Sequence, residues 1–181
     1  IKAVMIHTAR DAGEPGPAPG EPGPDPVFGW GSIDALRAGR VIARTASHII
    51  QYLAVSETNR VRQMRLVPNG TGEPIKVTVV WTDPPSQDLR TGLDDTASML
   101  VNDLDVRLIA PDGQVYFPYS LNPTDPHARA LNDRENRVDN VEVIEGAGAL
   151  PGTWTVEVTA ASLRLGPQQD FAIVISGLRE L

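Results

Sequence analysis

The feature that most constrains this chain is a change of hydrophobic period. Over residues 1–45 the apolar side chains recur at helical spacing. From Ser47 onward they fall on alternate positions. Val77, Val79 and Trp81 oppose Lys76 and Thr78, and Leu104, Val106 and Leu108 alternate with Asp105 and Arg107. Trp154, Val156 and Val158 oppose Thr153, Thr155 and Glu157. Successive strand side chains point to opposite faces, so each run has one dry and one wetter face. Phe171, Ile173 and Ile175 interleave instead with Ala172 and Val174, which predicts a strand buried on both faces. Weaker strands are expected at 48–55, 61–67, 114–117 and 140–145. Turn signals stand at Pro68-Asn69-Gly70, Pro111-Asp112-Gly113 and Pro151-Gly152. Strands linked by turns, with no helices between them, predict a mainly β chain. Residues 46–181 are expected to form a jelly-roll-like antiparallel β-sandwich, preceded by a helical segment over residues 1–45.

Within that segment Ile1, Val4, Met5 and Ile6 predict a first helix, and the chain enters it without a Met, as expected of a piece of something longer. Residues 11–26 carry six of the chain's 16 prolines, alternating with glycine, and predict an extended surface loop. A proline-rich recognition motif is the sharper reading of that loop. A second helix follows, with Ser32 as its expected N-cap, Ala35, Leu36, Val41 and Ile42 on its apolar stripe, and its end near Thr45. Trp30, between two glycines, is expected to pack the loop against this helix.

Bulk properties exclude several function classes. With 181 residues and 41% hydrophobic content a core can form, but only 5% is aromatic, so aliphatic and β-branched side chains must fill it. A net charge of -7, with no basic patch, argues against nucleic-acid binding. No apolar run approaches the roughly 18 residues of a membrane span. The N-terminus has neither the apolar core nor the cleavage site of a signal peptide. Without cysteine there is no disulfide, thiolate metal site or cysteine nucleophile.

Chemistry concentrates in two acidic runs, VNDLDV at 101–106 and LNDRENRVDN at 131–140. Asp103 and Asp105 share strand parity, so their carboxylates project on one side roughly 7 Å apart. Unpaired, they repel; a hard divalent cation held by carboxylates, amide oxygens and carbonyls relieves that repulsion, and calcium suits such oxygen-only loop sites. Asn132, Asp133, Asp139 and Asn140 add further oxygen donors. The competing reading is a solvated acidic face with local pairs to Arg107, Arg134 and Arg137, and the residues alone leave both open. Three scattered histidines make zinc a poor fit.

Nucleophilic catalysis has little support. His7 and Asp11 lie four apart on one helix, but no G-x-S-x-G accompanies them. An ion pair or a partly buried histidine explains them as well. Trp81 and Trp154 sit in strands and read as core. Tyr116, Phe117 and Tyr119 form the one cluster that could serve as an aromatic platform.

These residues resemble a family. IKAVMIHTARDAG, a loop, and FGWGSIDALRAGRVI look like the end of a subtilisin catalytic domain, whose last helix is introduced by an aromatic-Gly-x-Gly turn, here Phe28-Gly29-Trp30-Gly31. VTVVWTDPP, LVNDLDVRLIAPDG, DNVEVI, PGTWTVEV and GPQQDFAIVISG resemble, in order, the C-terminal β-barrel of bacterial alkaline subtilases, related in architecture to the kexin P domain. The 118–131 loop is longer than the family's, and the proline-rich loop reads as an insertion. The resemblance implies that the catalytic Asp, His and Ser lie upstream of Ile1, so this chain alone is not an enzyme. It implies a non-catalytic C-terminal part of a secreted, extracellular serine endopeptidase. The barrel would stabilise the catalytic domain, its intramolecular partner, and meet protein substrates only through the parent enzyme. It also implies calcium, at the positions matching the family's acidic loops: Asp103, Asp105, Asn132, Asp133, Asp139 and Asn140. The alternative is a module that recognises protein or glycan substrate. Residues 1–45, separated from the rest of a catalytic domain, are then expected to expose apolar surface and to be mobile, to self-associate or to be captured by a neighbouring chain.

Overall fold

A computed structural model describes residues 1–11, 23–44, 47–87, 92 and 96–181. Most of the proline-rich loop, and the expected boundary at residues 45 and 46, lie outside the described residues. Helices α1 (Lys2–Thr8) and α2 (Ala35–Ala43) precede nine strands. These are β1 (Ile49–Ser56), β2 (Val61–Pro68), β3 (Ile75–Trp81), β4 (Asn102–Ile109), β5 (Val115–Tyr116), β6 (Val141–Ala147), β7 (Trp154–Leu163), β8 (Gln168–Ser176) and β9 (Leu178–Glu180). They form two antiparallel sheets, one ordered β1-β8-β3-β6 and the other β5-β4-β7-β2-β9, making the β-sandwich expected from the alternating pattern.

The alternating apolar residues meet between the sheets. Val77, Val79, Phe171 and Ile173 from one sheet pack with Leu104, Val106, Val156 and Trp154 from the other. Trp81 and Trp154 are both core residues, as their strand positions predict. Strand β9 was not anticipated. Gly177, at φ 76°, switches the chain from β8 in one sheet to β9 in the other, and a Cβ there would lie 2.8 Å from the Glu73 carbonyl oxygen. That close approach leaves room only for glycine.

The four-stranded sheet is buried on its outer face as well. Val80, Val141, Val143 and Val174 pack against Ala3 and Val4 of α1 and Val41 of α2, with Trp30 alongside. The described part of residues 1–44 is therefore docked on the sandwich, which corrects the expectation of mobility. The physical reason is the apolar outer face that Val174 supplies to β8 and that only a covering layer can keep dry. The Phe28-Gly29-Trp30-Gly31 turn delivers α2 to that layer. Gly29 and Gly31 have φ 59° and 94°, and Ser32 exchanges backbone hydrogen bonds of 2.8 and 2.9 Å with Arg10. Asp34, not Ser32, caps α2: its carboxylate accepts from the Arg37 N–H at 2.8 Å. The expected apolar stripe also divides. Val41 is buried, whereas Ala35, Leu36 and Ile42 face away from the sheet and are exposed.

One buried polar network ties the sheets together at the start of β4. The Asn102 side chain is fully buried; its Nδ2 donates to Leu165 O and Gln169 Oε1, and its Oδ1 accepts from Arg164 N and Leu165 N. The Trp81 indole donates to the Asn102 carbonyl at 3.0 Å, and the Asp83 carboxylate accepts the N–H groups of Val101 and Asn102. Gln169 in turn donates to Thr82 O. This network explains why the motifs around Trp81, Asn102 and Gln169 carry polar residues next to core positions. Removing the Asn102 amide breaks four hydrogen bonds at once, one to the buried Gln169 and three to the part-buried backbone of Arg164 and Leu165, each worth about 0.5–1.5 kcal/mol. Asn102→Ala is therefore expected to destabilise by at least about 3 kcal/mol, a melting shift of roughly 6–12 °C. Calorimetry at neutral pH checks this, and a shift under about 2 °C would contradict it.

Candidate functional site

Strand β4 presents Asp103, Asp105 and Arg107 on the face opposite Leu104, Val106 and Leu108. The N-terminal half of its edge is not paired by β5, which begins its pairing at Leu108. The chain from residue 131 to β6 closes that edge. Glu142 of β6, fully buried, reaches across with its Oε2 and accepts the Val106 N–H. Glu135 pairs with Arg107, whose guanidinium also lies 6.0 Å from the centre of the Phe117 ring.

Asp103, Asp105, Glu135 and Glu142 thus form one acidic cluster at the edge of β4 that the β6 side closes. Three of its oxygens, Asp103 Oδ1, Asp105 Oδ1 and Glu142 Oε1, are buried without a hydrogen-bond partner, as is Arg107 Nε. Desolvation pushes the Asp105 carboxyl up from 3.8 to about 6, and the neighbouring Asp103 and Glu135 charges add to it. Burial raises Asp103 as well, against the opposing pull of Arg137 and Arg164. Burial, reinforced by Asp105, Asp103 and Glu135, raises Glu142 well above its ordinary value. Only Glu135 is lowered, because Arg107 holds it.

The other sequence-predicted donors lie elsewhere. Asn132 and Asp133 are exposed, and Asp133 pairs with its neighbour Arg134 at 2.8 Å, so this part of the run is the solvated pair that competed with a cation site. Asp139 is approached by Asn136 Nδ2 at 3.4 Å. Asn140 donates to Trp81 O at 3.0 Å and accepts from Lys2 Nζ, which places it at the end of β3. The structure therefore brings Asp103 and Asp105 together with Glu135 and Glu142, two residues that sequence reasoning did not select. Their signal was present: Glu142 follows Val141 and precedes Val143 and Ile144, a carboxylate inside an apolar strand.

The remaining candidates resolve plainly. His7 is a buried structural histidine whose Nδ1 lies 2.9 Å from Thr78 Oγ1, and burial, aided by Lys76, His48 and Arg37, lowers it from 6.5 to about 3. Tyr116 stacks obliquely on Trp154, Phe117 faces Arg107 and Tyr119 is buried, so the three make no exposed platform for substrate. Asn136, buried and bonded to Tyr119 O and Val141 O, fixes the turn before β6. Among the described residues no helix is long and apolar enough to cross a membrane.

The donor chemistry fits a hard cation, which needs several oxygens and tolerates irregular geometry. The oxygens are not gathered in advance: among the described residues no three His, Asp or Glu side chains form a group that could hold a metal ion. No protein-family model matches the chain, and no curated protein matches it.

The pH response follows from the raised carboxyls. A carboxyl with a folded value above its unfolded one lets the fold keep its proton longer, so its contribution is fully present below about 4 and is lost as pH rises to about 6. His7 has the opposite slope, losing stability as pH falls from 6.5 to about 3. Comparing the chain with Asp105→Asn cancels the His7 effect, and among the described residues Asp105 Oδ1 has no hydrogen bond to lose. Without divalent ions, Asp105→Asn is expected to melt above the parent at pH 7.5 and to lose that advantage towards pH 4. Equal or lower melting of the variant at pH 7.5 would show that Asp105 is not strained by its charge.

Proposed function

We propose that this chain is the non-catalytic C-terminal part of a secreted subtilisin-like serine endopeptidase, in which the sandwich stabilises the catalytic domain. The observation that carries the reading is the outer face of α2. Ala35, Leu36, Gly39, Ile42 and Ala43 are all exposed on the side turned away from the sandwich. Leu36 and Ile42 are 62% and 57% accessible, and Ile33, two residues before the helix, 64%. One face of the helical layer is spent on the four-stranded sheet while the other is apolar, small and uncovered. A contiguous patch of this kind marks a surface built for a further layer. The subtilisin resemblance of residues 1–44 says what that layer is: the remainder of the catalytic domain. The strand orders β1-β8-β3-β6 and β5-β4-β7-β2 support a jelly roll, with β9 added to one edge.

The second part of the proposal is calcium, held by Asp103, Asp105 and Glu142, whose partnerless oxygens supply hard-donor chemistry. A bound cation would replace the protons that the raised carboxyls otherwise keep, so ion binding would release protons. The three aromatics that motivate the alternative substrate-recognition reading are buried or partly buried, so among the described residues they lend it no exposed platform.

Two outcomes are expected. In the parent protease, deleting residues 46–181 shortens the half-life of casein-cleaving activity at elevated temperature; an unchanged half-life would overturn the stabilising role. In this chain, calcium at 100 times its dissociation constant contributes about 2.7 kcal/mol, a melting shift of roughly 5–11 °C relative to EDTA. Glu142→Gln is expected to abolish that shift. An identical shift in the variant, or none in the parent chain, would remove calcium from this cluster.

A further inference from the structure

A cleft of about 850 Å³ separates the end of α1 and the flank of α2 from the sandwich. Its size lies within the range of roughly 300–1,000 Å³ common to small-ligand sites. Arg37 and Arg40 line it from α2 and Arg44 from the C-cap of that helix, and at spacings of three and four they continue one stripe. The facing wall carries Lys76, paired with Glu145 at 2.8 Å, and His48, 3.3 Å from Glu73. His7 lines it from α1.

The charge balance is unusual for this chain. Arg10, Arg37, Arg40, Arg44 and Lys76 line the cleft against Asp11, Glu73 and Glu145; five minus three leaves two positive charges, in a chain of net -7. Arg10 is held by Asp34 and Lys76 by Glu145. Among the described residues Arg37, Arg40 and Arg44 make no ion pair. Like charges at this helical spacing repel one another. The positive potential also reaches inward, where Lys76, His48 and Arg37 help burial keep His7 neutral. Guanidinium groups bind oxyanions through paired N–H donors, and a carboxylate or phosphate ligand satisfies several at once.

We propose that this cleft binds a small multivalent oxyanion, a polycarboxylate or a phosphate, through Arg37, Arg40 and Arg44. The site is distinct from the acidic cluster on β4 and β6 and does not rest on the protease reading. The test is calorimetric titration of the whole, metal-stripped chain at low ionic strength with two probes, tricarballylate and inorganic pyrophosphate. Saturable binding of at least one probe below about 1 mM is expected. Arg40→Gln/Arg44→Gln should weaken it about tenfold or more. Arg65→Gln/Arg179→Gln carries the same charge change outside the cleft and should leave affinity within about twofold. Binding of tricarballylate alone identifies a carboxylate ligand, and of pyrophosphate alone a phosphate ligand. No saturable heat from either probe up to about 10 mM, or equal weakening by both double variants, overturns the proposal.

Discussion

The structure depends on a four-stranded sheet that is dry on both faces. Its inner face packs on the five-stranded sheet, and its outer face requires a second cover, which α1 and α2 provide through Ala3, Val4 and Val41. Burying apolar area on both sides makes this sheet the centre of a three-layer stack. The layer arrangement also sets the electrostatics of α1. His7 lies beneath the helices against Thr78, so its neutral form is the one the fold can hold.

Along β4, buried polar chemistry falls in two places with opposite character. At the start of β4, Asn102 uses its amide fully and joins Trp81, Gln169 and Asp83 into a satisfied network. From the next residue onward, Asp103 and Asp105 of the same strand, with Glu142 of β6, each hold one buried oxygen with no partner. Satisfied buried networks add rigidity, whereas unsatisfied ones carry a cost that a proton or a cation must relieve. The contrast within one strand separates the part of VNDLDV that builds the fold from the part that carries the candidate chemistry.

The helical layer has a similar division. Around α2, one side is buried on the sheet, the opposite side is small and apolar, and the stripe between them is basic. Only the first of these is used within the described residues. The other two are surfaces of different kinds, one suited to dry packing against protein and one to charged ligands.

By itself the sequence determined the class of fold. Period-two runs from Ile75 to Trp81, Leu104 to Leu108, Trp154 to Val158 and Phe171 to Ile175 are all strands, and the doubly buried strand is legible because Ala172 and Val174 leave no polar face. Local turn chemistry was equally readable at Gly29 and Gly31. Strand β9 escaped because three residues are too short for a period, and the α2 cap escaped because Ser32 and Asp34 are both good caps that only the path of the chain distinguishes. The acidic site was legible by half. Asp103 and Asp105 share parity within one strand, a local property. Their meeting with Glu135 and Glu142 is set by β6 and the chain leading into it closing the open edge of β4, across separations of 30 residues or more that no period encodes. Asp133, although close to Glu135 in the chain, is turned out to Arg134. Tertiary structure alone decided which carboxylates lost their water, and desolvation gives those carboxylates their chemistry.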